Sequence, residues 1–206
     1  MRVMTDAKRR EIVTAAWDVF RAKGFDGTSM SDVSERLGGS KATLYRYFSS
    51  KEALFAAALE QVIGQSGAIA FAGLWDEGDI ETRLLEFGRI YLKTRLKPDM
   101  IAIERALIAE GGRSDLGERL RRQFIQPYWR RITAVFNHEM RAARLHKGDP
   151  WVATWQFRGM IEAELVERCL HGDKTITDAE VERAVTEGVQ VFMRAYAPKR
   201  APEPTG

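Results

Sequence analysis

Apolar residues recur at helical spacing along most of this chain, and no run alternates between apolar and polar positions strictly enough to compete as a strand. The first periodic stretch, residues 6–23, places Ile12, Ala16, Val19 and Phe20 at i, i+4, i+7 and i+8, with Gly24 as its stop. A shorter one carries Met30, Val33 and Leu37; Ser29 and Asp32 stand at capping-box spacing at its start, and Gly38 closes it. A third covers residues 41–48. At about 100° per residue it sends Leu44 and Phe48 to one side and Ala42, Thr43, Arg46 and Tyr47 to the other, so one face anchors while the other is left free. Ser40 occupies its N-cap, and Gly38 and Gly39 permit the sharp turn before it. Two helices joined by a tight turn form a helix-turn-helix, with the first helix completing a small three-helix core.

A long helix is expected from residue 51 to about 71, opened by a Ser49/Glu52 capping box and carrying Leu54, Ala58, Val62 and Ile69. Gly64, Gly67 and Gly73 weaken its far end, and residues 75–79 read as a loop. Further helices are expected over 80–96, 98–110, 115–145, 150–171 and 178–196. Pro127 must kink or split the third of these near Gln126. Asp149 as cap with Pro150 at the first helical position, and Thr177 with Glu180 as a capping box, mark the last two starts. The chain is therefore read as all-α, with nine or ten helices in two domains: residues 1–52, then 53–197, the helix from residue 51 linking them. Residues 198–206, with Pro198, Pro202 and Pro204 and little apolar content, are expected to be disordered.

Composition narrows the chemistry. With 206 residues and 45% hydrophobic content the chain buries a sizeable core and is not globally disordered. A net charge of +3 suits almost any soluble protein, so placement matters more than total. Lys41, Arg46 and Lys51 fall between Gly38 and Lys51 without an acid among them, and Lys8, Arg9 and Arg10 cluster near the start. The lone Cys169 forms no internal disulfide and reads as a buried, inert thiol; no Cys or His spacing suggests a metal. His138, His146 and His171 are scattered, none beside a serine or cysteine in a nucleophile arrangement, so no catalysis and no cofactor are expected. Lacking a signal-peptide core or an 18-residue apolar run, the protein is expected to be cytoplasmic and not to engage a membrane.

Phe20, Gly24, Phe25, Thr28, Val33, Gly38, Ser40, Thr43, Leu44, Tyr45, Tyr47, Phe48, Lys51, Glu52 and Leu54 fall where tetracycline-repressor-like (TetR) regulators carry their signature, so roughly the first 60 residues resemble that family. Two positions depart from it. Gly39 stands for an apolar residue, at a cost of about 1 kcal/mol, and Ser34 for alanine. Neither removes a group that would touch DNA.

The resemblance implies a DNA-binding domain followed by a helical effector-binding and dimerisation domain. Tyr45, Tyr47 and Lys51 match phosphate-contacting positions, and Thr28 is either a further phosphate contact or a structural cap. Ser40, Lys41, Ala42, Thr43 and Arg46 face the groove; Arg46 or Lys41 has the reach for guanine O6 and N7, and Ala42 or Thr43 suits a thymine methyl. Phe87, Tyr91, Ile103, Leu107, Phe124, Tyr128 and Trp155 are candidates for an effector pocket, although aromatic stripes at helical spacing equally make plain core. Arg105, Glu110, Gln123, Arg158 and Glu162 are the polar groups near them. Trp151, Met160, Ile161, Leu165, Val185, Val189 and Phe192 on the last two helices are candidates for a homodimer interface. The expected protein is a homodimeric repressor released from a palindromic double-stranded operator by a small-molecule effector. The alternatives are an activator or ligand-independent regulator, or an all-α ligand-binding or catalytic protein whose helix-turn-helix serves only packing.

Overall fold

The protein, seen in a computed structural model, is described over residues 5–76 and 78–198, with the backbone alone for residues 65–70 and 72. Every regular element among the described residues is helical. In chain order these are α1 (Asp6–Lys23), α2 (Met30–Arg36), α3 (Lys41–Tyr47), α4 (Lys51–Ala70), α5 (Ile80–Arg95), α6 (Pro98–Gly111), α7 (Leu116–Leu120), α8 (Gln126–Arg141), α9 (Pro150–Glu162), α10 (Leu165–Leu170) and α11 (Asp178–Tyr196). A 3-10 turn, Ala72–Trp75, precedes α5, and a π turn, Arg121–Ile125, precedes α8.

Packing gathers these elements into two compact units that cut across chain order: residues 1–66 with 98–125, and residues 67–97 with 126–206. In the first, α1 contributes Ile12, Val13, Ala16 and Phe20 to a core shared with Met30, Val33, Leu44, Phe48, Leu54 and Phe55. Its centre is aromatic, with the Phe55 ring 4.8 Å from Phe20 and 4.9 Å from Phe25. The two ends of α6 are tied to the α1 region by ion pairs, Arg21 to Asp99 at 2.8 Å and Arg113 to Asp26. Gly117 lets α7 lie directly on the backbone of α6: a Cβ there would meet the Leu107 carbonyl at 2.4 Å.

In the second unit α11 packs against α9 and α5, and α8 against α9. Phe136, Phe157 and Phe192 form its fully buried centre, with ring centroids 4.9 to 5.7 Å apart. Two glycines set its closest helix approaches. A Cβ at Gly188 would lie 2.5 Å from the Met160 carbonyl, and one at Gly88 would lie 2.7 Å from Val185 Cγ1.

Several expected boundaries move. The cap of α4 is Ser50 rather than Ser49: its Oγ accepts from the Ala53 N–H at 3.1 Å, and Glu52 bonds back to Ser50. Phe48 ends α3 in extended backbone, and the reversal that follows sets the cap one residue later. Neither Gly64 nor Gly67 stops α4, which runs to Ala70. The expected helix over 115–145 is three pieces. Pro127 sits at the second position of α8, where its missing N–H costs nothing, and the ladder ahead of it widens into the π turn. Helix α8 ends at Arg141, so Leu145 is buried outside it. The expected helix over 150–171 breaks at Ala163, where φ is +44°, giving α9 and α10. Of the tail expected to be disordered, residues 199–206 lie outside the described residues.

Candidate nucleic-acid interface

Helix α3 is short, so its orientation depends on its ends and its buried face. Gly38 turns the chain at φ +62°, a conformation that favours glycine. Ser40 follows in extended backbone, its Oγ accepting from the Thr43 N–H at 3.2 Å and lying 3.0 Å from the Thr43 hydroxyl. Leu44 and Phe48 are buried beneath the helix. What remains outward is Lys41, Ala42, Tyr45 and Arg46, with Tyr45 51% exposed. A cationic and phenolic face is therefore held by a capped, anchored helix.

Tyr47, half-buried, takes a hydrogen bond on its Oη from the Thr5 N–H at 3.2 Å. That donated bond lowers the phenol from the usual tyrosine range. The Arg46 guanidinium stands 5.7 Å from the Tyr47 ring centroid. Lys51 turns inward: its Nζ donates to the Phe25 carbonyl at 2.9 Å and sits 4.2 Å from the centre of the Phe25 ring, leaving two of its three N–H donors for other acceptors. Thr28 is 3% exposed, and its hydroxyl donates to the Gly24 carbonyl at 2.6 Å. Its proton is committed to the turn between α1 and α2. Thr5 is not among the residues expected from the sequence to shape this face; a threonine directly before the helix over 6–23 was the available signal.

The effector-pocket candidates divide between the units. Phe87, Tyr91, Tyr128 and Trp155 belong to the second, where Trp129 joins them: its ring is 5.1 Å from Tyr91 and 5.8 Å from Trp155, and Phe87 stacks 5.5 Å from Tyr91. Ile103 and Leu107, buried on α6, and half-buried Phe124 belong to the first. Within the aromatic cluster Glu162 accepts from Arg158 Nε at 2.9 Å and from the Tyr91 hydroxyl, and Arg95 Nε lies 3.8 Å away. Arg158 lies 5.1 Å from the ring centroids of both Trp129 and Trp155. Burial pushes the Tyr91 phenol well up. The other polar candidates sit in the first unit: Arg105 and Gln123 are exposed, and buried Glu110 has Arg113 Nη1 at 3.9 Å.

Most of the interface candidates are buried within the chain itself. Ile161, Val185, Val189 and Phe192 are fully buried within one chain and Leu165 is 3% exposed, so they form this chain's own core. Their stripe faces the sibling helices, which periodicity alone does not distinguish from a face turned to a second copy. Trp151 and Met160 are half-buried, and the exposed large apolar residues of the same helices are Val152 and Val191, each 46% exposed. Cys169 is buried; His138 is exposed, its ring 6.0 Å from Trp75. Among the described residues no group of His, Cys, Asp and Glu is placed to hold a metal, and no helix is long and apolar enough to cross a membrane.

Comparison with known proteins bears on both units. The profile of the bacterial regulatory proteins of the tetR family matches residues 12–58, and that of the C-terminal domain of AefR-like transcriptional repressors matches residues 82–198. Over 57 residues the chain is 46% identical to the HTH-type transcriptional regulator RutR of Escherichia coli strain K12, covering 28% of this chain and 27% of that protein. Over 60 residues it is 37% identical to the HTH-type transcriptional activator FasR of Mycolicibacterium smegmatis, covering 29% and 27%. The chain thus matches about a quarter of the length of these curated relatives. A putative TetR-family regulator from Mesorhizobium loti MAFF303099 superposes with a TM-score of 0.84 at 24% identity, over 95% of this chain and all of that one. The flavonoid-responsive regulator FrrA superposes at 0.77 with 28% identity over the same shares. A putative transcriptional regulator from Saccharomonospora viridis, in complex with choline, does so at 0.72 and 18%, again over 95% and 100%.

Proposed function

Because the chain belongs to the TetR family of transcriptional regulators, we propose that it is a homodimeric repressor whose α3 reads a palindromic operator and whose second unit binds a small-molecule effector that releases it. The observation that carries this reading is α3 itself, capped at Ser40, anchored by Leu44 and Phe48, and presenting Lys41, Ala42, Tyr45 and Arg46 to solvent.

On DNA, Tyr45 and Tyr47 donate their hydroxyls to backbone phosphates, Tyr47 being positioned by the Thr5 N–H that its oxygen accepts. The remaining donors of Lys51 serve the same backbone, whereas Thr28 holds the turn. Ser40, Lys41, Ala42, Thr43 and Arg46 read base edges, and a good bidentate arginine–guanine pair contributes about 1 to 3 kcal/mol of discrimination. Two copies of α3 related by a twofold axis meet half-sites about one helical turn apart or slightly more, so the operator is an inverted repeat. The contacting surface between the copies is the exposed side of α9 and α11, where Val152 and Val191 stand.

Repression rather than activation is favoured by the match of residues 82–198 to the repressor C-terminal profile. A small-molecule effector is favoured by the flavonoid-responsive and choline-bound relatives of this fold, and by the aromatic cluster of Phe87, Tyr91, Tyr128, Trp129 and Trp155 around the Arg158–Glu162 pair. The effector binds the released conformation better, and a coupling of about 1 to 3 kcal/mol changes operator affinity roughly 5- to 150-fold. Such a regulator works in the cytoplasm, where its operator is. Selection of bound sequences from a random duplex pool tests the reading: an inverted repeat supports it, and a pool with no enriched sequence refutes it.

A further inference from the structure

The cluster of Lys8, Arg9 and Arg10 has no place in the presented face of α3, yet the fold brings its first member beside that face. Thr5, the N-cap of α1, donates its N–H to Tyr47, and the Lys8 N–H donates to Thr5 Oγ1 at 3.3 Å. Between the start of α1 and the flank of α3 opens a cleft of about 480 Å³, lined by Thr5, Lys8, Glu11, Thr43, Arg46 and Tyr47. It gathers the Lys8 ammonium and the Tyr47 phenol, a group able to donate as well as accept, beside the Arg46 guanidinium. Opposed to them is Glu11, which holds Lys8 Nζ at 2.7 Å. The two side chains are 37% and 56% exposed, and an ion pair between neighbours on an exposed helix surface is weak and readily exchanged.

We infer that this cleft seats a phosphate of the DNA backbone, held by Lys8 and Tyr47 beside the base-reading Arg46, and that Lys8 exchanges Glu11 for that phosphate on binding. The inference rests on α3 being the DNA-facing helix. A phosphodiester matches the donor set: it brings acceptor oxygens and one negative charge, and needs no base contact. A second grip, supplied by α1 rather than by the helix-turn-helix, fixes the roll of α3 about its own axis. Glu11 gives it a sign, because the same carboxylate that stores Lys8 in the free protein repels a phosphate that fails to displace it.

The test uses the full chain and a fluorescein-labelled duplex taken from the random-pool selection, with a scrambled duplex beside it, titrated across potassium chloride concentration. Lys8→Gln is expected to weaken binding to both duplexes by the same factor, and to flatten log K against log salt by about one for each Lys8 engaged. Glu11→Gln is expected to tighten binding to both. A structural ion pair would move both variants the same way, so parallel shifts, or an unchanged salt slope in Lys8→Gln, overturn the inference. Replacing chloride by inorganic phosphate at matched ionic strength should leave affinity unchanged; a loss that depends on Lys8 would reassign the cleft to free phosphate. If the native chain enriches no duplex, the DNA reading itself fails; if it does and the two variants do not part, only this inference fails.

Discussion

At the scale of single residues, groups that look alike in the sequence do different things. Arg46 and Lys51 are both cations of the same short segment, yet Arg46 is exposed on α3 while Lys51 is half-buried against the Phe25 carbonyl and ring. Arg46→Ala is accordingly expected to weaken operator binding by about 1 to 3 kcal/mol and to relax sequence choice at one position. Lys51→Ala should also lower the melting temperature, since it strips a bond from the α1–α2 turn. Anisotropy titrations beside thermal melts separate the two, and an unaltered melt in Lys51→Ala would refute the structural part. In the second unit Arg168 bonds both Asp173 and Glu180; hydrogen bonds from Thr175 and then from Arg168 hold the Asp173 carboxyl at about 2, and Arg168 with Thr177 holds that of Glu180 at about 2. A depressed carboxylate contributes stability above its unfolded pKa near 4 and loses it as pH falls toward 2. Arg168→Ala should therefore lower stability most at neutral pH, with the gap to the native chain closing as pH falls from about 4 to about 2; denaturant melts across pH, read by circular dichroism, that show a gap independent of pH would count against it.

At the scale of elements, the helices are placed by what lets them approach. Gly188 brings α11 onto the backbone of α9 at Met160, and the partner atoms there are main chain, which yields less than a flexible side chain would. Gly188→Ala is expected to destabilise the protein by about 1 to 3 kcal/mol, as overpacking does, and denaturant melts should show it. Gly88→Ala meets the tip of Val185 instead, a side chain with some room to shift, so its cost should be the smaller; the reverse order would show that the two contacts are misjudged. Capping and periodicity made most of these elements legible: α1 and α11 begin and end where Gly24, Thr177 and the apolar spacing place them. The break at Ala163 was not legible. A positive φ on an alanine has no local signature, being imposed by the packing around it.

At the scale of the whole molecule, the proposed dimer and its release are properties of surfaces. Val152→Asp with Val191→Asp places charge on the exposed side of α9 and α11, and should lower the dimer fraction in sedimentation while leaving each chain folded. Operator affinity should fall with it, because two half-sites read together bind far more tightly than either alone. A double variant that remains dimeric would move the interface elsewhere.

The chain's own order of residues determined the helical class, the capped helix at Ser40 and its cationic outer side, because capping and 3.6-residue periodicity act over one or two turns. Tertiary structure alone decided which apolar stripe is spent inside one chain: Ile161, Val185 and Phe192 carry the same pattern whether they face a sibling helix or a second copy. It also decided that Thr5 and Lys8 stand beside Tyr47, some forty positions away. Periodicity assigns a direction to each side chain but not a neighbour, and neighbours are set by which helices bury one another.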